Sequence, residues 1–62
     1  MAVTFKNVRD ASIVFEQNDT PMNERTIDLT EADLRQIEND TGMDSNFYTF
    51  GMKIYGVTLL EK

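Results

Sequence analysis

Leu29-Thr30-Glu31-Ala32-Asp33-Leu34-Arg35-Gln36-Ile37-Glu38-Asn39-Asp40-Thr41-Gly42 is the stretch from which the rest of the chain is read. Thr30 suits an N-cap, because its hydroxyl can accept one of the free N–H groups of a first helical turn. Asp33 stands at the position where an acidic or amide side chain completes a capping box. Leu29 and Leu34 occupy the two positions of a hydrophobic staple. Glu31 and Asp33 suit the positive end of the helix dipole. Leu34, Ile37 and Thr41 form one narrow apolar stripe, and Gly42 supplies a left-handed stop. A helix with so narrow a stripe lies on a surface rather than filling a core. Something flat must therefore lie beneath it.

The flanking segments are expected to supply that sheet. Before the helix, Arg25-Thr26-Ile27-Asp28-Leu29 alternates and reads as a short strand. Asn18 to Glu24 is a loop by composition, and Pro21 keeps Thr20 from helical angles. Further back, Val3-Thr4-Phe5-Lys6-Asn7-Val8 alternates. Ser12-Ile13-Val14-Phe15-Glu16-Gln17 joins β-branched and aromatic residues. These two segments read as an antiparallel hairpin or one bent strand, with 25–29 returning beside 12–17. After the helix, Met43 to Asn46 is a linker. Tyr48, Phe50, Met52 and Ile54 then alternate, as do Tyr55, Val57 and Leu59. The register changes by one residue between Ile54 and Tyr55, and a bulge or turn at Gly51 or Gly56 accounts for that. The segment 47–60 is either one bulged strand or a tight hairpin. The expected fold is α+β: a single domain, 1–62, with a small antiparallel sheet of order roughly β-β-β-α-β and the helix packed on one face.

Composition narrows the chemistry. The 62 residues contain no Cys and no His. A disulfide framework, a thiolate nucleophile, a Cys- or His-ligated metal and an imidazole base are therefore excluded. Apolar runs are short, such as Ile13-Val14-Phe15 and Leu59-Leu60, far from the roughly 20 residues of a membrane helix. Residues 1–15 carry Lys6, Arg9 and Asp10 and lack the apolar run of a signal peptide. The expectation is a soluble, cytoplasmic protein. Ordering so short a chain costs roughly 90 kcal/mol. Its core must be packed well, or extended by a dimer or a partner.

Charge is the most informative feature. The chain carries a formal net charge of −5. Residues 16–44 hold Glu16, Asp19, Glu24, Asp28, Glu31, Asp33, Glu38, Asp40 and Asp44 against Arg25 and Arg35 alone, a net of −7. The remaining segments are each slightly basic. One reading is a solvated face that keeps a small protein dispersed. The other is an acidic surface that docks on a basic protein. Glu31 and Glu38, like Asp33 and Asp40, are seven apart and share a stripe about 10 Å apart in rise. Arg35 lies four after Glu31 and can pair with it.

Other chemistries are weaker. Asp40 to Asn46 gathers oxygen ligands but lacks EF-hand spacing. The sequence contains no phosphate loop and no nucleophile motif, so a non-enzymatic protein without cofactor or metal is expected. Phe47, Tyr48, Phe50 and Tyr55 crowd the last third with only Lys53 among them, a poor composition for stacking on nucleic acid. They read as core and cross-strand pairs, and an exposed aromatic with Met52 would mark a protein interface.

The leading expectation is a small inhibitor or accessory regulator, phage-encoded or antitoxin-like in size and charge. It docks on a partner with a basic surface through 16–44. Asp28, Glu31, Asp33, Glu38, Asp40 and Asp44 are the candidate contact residues. Direct binding of nucleic acid or membrane is not expected. The alternatives are a self-assembling subunit that uses an edge strand in 47–60, and a nucleic-acid mimic that blocks a DNA- or RNA-binding protein.

Overall fold

The computed structural model describes residues 3–62. Along the chain run α1 (Phe5–Gln17), a single 3-10 turn (Met22–Glu24), β1 (Thr26–Leu29), α2 (Glu31–Thr41), β2 (Lys53–Ile54) and β3 (Val57–Glu61). The fold is α+β, with two helices and a three-stranded mixed sheet in the order β1-β3-β2.

The N-terminal third corrects the reading from alternation. Residues 3–8 and 12–17 are not strands; most of their length lies in the 13-residue helix α1. Thr4 caps it. The Thr4 hydroxyl accepts from the Asn7 N–H, and the Asn7 side chain accepts from the Thr4 N–H, so two free donors of the first turn are matched. Phe5, Val8 and Phe15 are spaced for one helical face; Val8 is fully buried, and the two phenylalanines pack against the core. Ile13 and Phe15 would share the face of a strand, but a helix turns them about 200° apart. Phe15 goes inward, while Ile13 and Val14 remain 48% and 52% exposed. Burial of a 5-8-15 stripe thus overrides the strand preference of Ile13-Val14-Phe15.

With α1 a helix, β1 has no partner at 12–17 and pairs with β3 instead. That pairing is parallel: Ile27 lies beside Leu59 and Asp28 beside Leu60. The expected antiparallel sheet is therefore mixed. The physical reason is the connection. The helix α2 and the loop after it carry the chain back across the sheet, so β3 enters in the direction of β1.

Segment 47–60 resolves as a hairpin. Ile54 faces Val57 across Tyr55-Gly56, and both turn residues have positive φ, 53° and 77°. That is the backbone of a two-residue turn matched to the twist of a strand pair. A bulge sits next to it. Leu59 accepts from the Gly51 N–H at 2.6 Å and donates to the Met52 carbonyl at 2.8 Å, so two residues oppose one. Gly51 takes φ 96°, open to a residue without Cβ. The one-residue register change has both of its proposed causes, the bulge and the turn.

The expected ends of α2 are present. Thr30 and Asp33 form a capping box, and Gly42 ends the helix at φ 72°. Leu29, Leu34, Ile37, Val57 and Leu59 are buried with Val8, Tyr48 and Ile54 in one cluster between the helices and the sheet. Val57 and Leu59 of β3 and the inward residues of β1 face this cluster, while Glu61 at the end of β3 is exposed. Thr26, Asp28, Thr58, Leu60 and Lys53 lie on the other face of the sheet. Among the described residues, no helix is long and apolar enough to cross a membrane.

Candidate functional site

The six candidate carboxylates divide into two sets. Asp33 and Glu38 are buried, and Asp40, though exposed, is hydrogen-bonded within the chain. Asp28, Glu31 and Asp44 are exposed, and among the described residues their carboxylates have no hydrogen-bond or ion-pair partner.

Asp33 is only 7% exposed. One carboxylate oxygen accepts from the Thr30 N–H at 2.9 Å, and the other accepts from the Val3 N–H at 2.8 Å, across 30 residues of chain. Backbone donors at Thr30 and Val3, joined by the Thr30 hydroxyl and the positive charge of Lys62, hold the Asp33 carboxyl below its ordinary value of 3.8 against the opposing effect of burial. Seven residues on, Asp40 accepts from the Phe5 N–H at 3.1 Å and from the Gln36 amide at 2.9 Å. The first turn of α1 contains no acid of its own. Asp33 and Asp40 therefore supply, from a neighbouring helix, the negative charge that a helix N-terminus attracts. The stripe seen in the sequence exists, and it receives the start of α1.

Glu38 is 3% exposed. One oxygen accepts from the Tyr48 N–H at 3.0 Å, and the other lies 3.2 Å from Arg35 Nη1. Arg35 also donates to Asn46 Oδ1 at 2.8 Å and to the Tyr48 carbonyl at 3.4 Å. The expected Glu31–Arg35 pair gives way to Arg35–Glu38. The acceptors at Asn46 and Tyr48 lie on the Glu38 side, and the guanidinium satisfies all three from there. This cluster ties loop 42–52 to α2. Tyr48 reaches the core, and the Phe47 ring stands edge-on to it at 5.0 Å.

Arg25 is engaged as well. It pairs with Glu16 at 3.0 Å and donates to the Thr20 carbonyl at 2.7 Å. Both cations of the acidic region are thus tied to internal partners. Asp19, Glu24, Asp28, Glu31 and Asp44 are exposed, and none of them joins an ion pair among the described residues.

Hollows lie on the surface of the described residues. One, of about 320 Å³, lies between α1 and the 55–56 turn and is lined by Ser12, Ile13, Glu16, Gln17, Arg25 and Tyr55. Its carboxylate, Glu16, is the partner of Arg25. Tyr55 is exposed there, with its ring 5.6 Å from that of Phe5. Another, of about 280 Å³, lies beside Arg35, Glu38, Asn39, Met43 and Ser45. Among the described residues, no three acids converge as a metal site would need. Of the aromatic residues, Phe47 and Tyr55 are exposed; Met52 is half-buried against the core.

The sheet has two edges. β3 is central and is paired on both sides. Segment 47–60 contributes an edge of only two residues, Lys53 and Ile54. The other edge is β1, whose exposed face carries Asp28. The sequence reading missed the burial of Glu38 and the bond from Asp40 to the Phe5 N–H. For Asp33 a signal was present, since the capping box already required it to turn back on Thr30.

No family model, curated protein or solved structure matches the chain.

Proposed function

We propose that the chain is a small protein-binding module that regulates or inhibits a partner by covering part of the partner's surface. The contact is made by the exposed carboxylates Asp28, Glu31 and Asp44, with Glu24 and Asp19 adding to the field. One observation carries this reading: Arg25 and Arg35 are both held by internal partners, so these exposed acids keep their charge uncompensated by their own segment. Asp33, Glu38 and Asp40 support the surface by fixing α1 and the loop beneath it. A basic patch on another protein is the complementary chemistry, and it steers approach as well as contact.

The test compares the chain with its Asp28→Lys/Glu31→Lys variant, each immobilised and exposed to lysate at low and high salt. A stoichiometric protein held by the parent at low salt, released by salt and bound about tenfold more weakly by the variant is the expected outcome. Equal retention by both chains refutes the acidic contact. Retention of the chain's own copies alone also refutes it and selects self-assembly. A retained DNA- or RNA-binding protein identifies the partner class as one whose site normally faces phosphates.

A further inference from the structure

Among the described residues, β1 leaves one side of its backbone without a partner. The Arg25 carbonyl accepts from the Thr58 N–H and the Leu29 carbonyl accepts from the Lys62 N–H, both at 2.8 Å. Arg25, Ile27 and Leu29 therefore turn their backbone groups toward β3. Alternate residues of a strand direct both groups to the same side. The N–H and C=O of Thr26 and Asp28 consequently point away from the sheet. Neither the loop and cap hydrogen bonds nor those of side chains among the described residues reach these groups. β1 ends the sheet, and α2 begins two residues after its last member.

Exposed strand edges are commonly protected by Pro, Lys or a bulge. Residues 26–29, Thr-Ile-Asp-Leu, have neither Pro nor Lys. They carry acid instead: Glu24 lies before the strand, Asp28 within it and Glu31 after it, all exposed. This charge selects the occupant. A second copy paired edge to edge would bring the same carboxylates together across the two-fold axis, and like charges across strands repel. An extended segment bearing Lys or Arg meets attraction at the same positions.

We propose that the free edge of β1 takes up an extended, Lys- or Arg-bearing segment of a partner protein as a fourth strand. Thr26 and Asp28 supply the backbone hydrogen bonds. Asp28, with Glu24 and Glu31 on either side, selects the basic side chains. The proposal rests on the reading of this chain as a protein-binding module and names how the partner is gripped. Strand addition of this kind takes affinity from main-chain bonds and specificity from alternate side chains. A basic residue opposite Asp28 would stand about 5 Å away on the open face.

The experiment is a titration of the isotopically labelled full chain, followed by amide spectra and hydrogen exchange. Three blocked peptides serve as probes: Lys-Val-Lys-Val-Lys, Glu-Val-Glu-Val-Glu, and the basic peptide N-methylated at alternate residues. The basic peptide is expected to shift the Thr26 and Asp28 amides and to slow their exchange about fivefold or more. The acidic and the correctly phased N-methylated peptides should bind at least about tenfold more weakly. T26P removes an outward N–H and no charge, and should weaken the basic peptide about fivefold. If T26P does not fold, the N-methylated probe decides by itself. Equal binding of both basic peptides, or shifts that avoid Thr26 and Asp28, overturns the edge mode. The salt-sensitive lysate contact can survive that result. Conversely, an intact edge response beside lysate retention that ignores Asp28→Lys/Glu31→Lys removes the docking reading alone.

Discussion

Replacing Asp33 by Ala should be the most damaging single change to an acidic residue. The substitution removes the acceptor of two backbone N–H groups, Thr30 and Val3, at 2.9 and 2.8 Å. The Thr30 bond is half of the capping box, and losing such a cap costs about 1 kcal/mol. The Val3 bond is charge-assisted and links the segment before α1 to α2, and such bonds contribute about 1.5–3 kcal/mol. Together the loss is about 3 kcal/mol. A domain of this length has roughly 3–9 kcal/mol in total. At about 4–8 °C per kcal/mol for small domains, the melting temperature should fall by roughly 12–24 °C. Asp33→Asn keeps one acceptor and should lose about half as much. The acid limb gives a second reading of the same bonds. The folded Asp33 carboxyl titrates below its ordinary value of 3.8, so the unfolded chain takes up this proton first. Its stabilising contribution is complete above the unfolded value and is lost as pH falls through the lower folded one. The assay is a set of circular-dichroism melts from neutral pH to about pH 2 on the parent and both variants. The reasoning fails if Asp33→Ala shifts the melt by less than about 3 °C at neutral pH. It fails equally if Asp33→Asn keeps the parent's full acid sensitivity.

Two further changes probe other joints of the fold. Glu38→Ala leaves the Tyr48 N–H without its acceptor and Arg35 without its carboxylate; stability should fall by about 2 kcal/mol in chemical denaturation, and the Tyr48 amide should exchange faster. Unchanged exchange at Tyr48 would show that loop 42–52 is held by other contacts. Val8→Ala should cost about 2 kcal/mol, because Val8 is fully buried, whereas Val14→Ala on the same helix should stay within about 0.5 kcal/mol. Equal costs at the two positions would contradict the helical phase of α1.

The sequence and the fold agree best at α2, where several local signals coincide. At α2, the cap, the staple and the glycine stop all lie within 14 consecutive residues, so short-range hydrogen bonds and backbone preference suffice to determine it. The register change before Val57 was likewise legible, because a turn and a bulge act over a few residues. The N-terminal segment misled because its residues carry two patterns at once. Ile13-Val14-Phe15 has strand propensity, while Phe5, Val8 and Phe15 have helical spacing; the choice between them depends on which stripe finds a core. The acidic candidates divide for the same reason. Asp28, Glu31 and Asp44 remain outward, while Asp40 and Glu38 find backbone donors far along the chain, at Phe5 and Tyr48.

By itself the sequence determined the helix α2 with its caps, the strand before it, the turn chemistry of Gly51 and Gly56, and the concentration of negative charge in 16–44. Each of these follows from neighbours in the chain or from simple counting. Tertiary structure alone decided that α1 is a helix, that β1 pairs with β3 in parallel, that Arg25, Arg35, Glu38 and Asp40 turn to internal partners, and that β1 is left as an open edge. Those outcomes depend on which distant groups meet, since burial rewards whichever stripe faces a core and an unpaired donor is matched by whichever carboxylate the fold brings within reach.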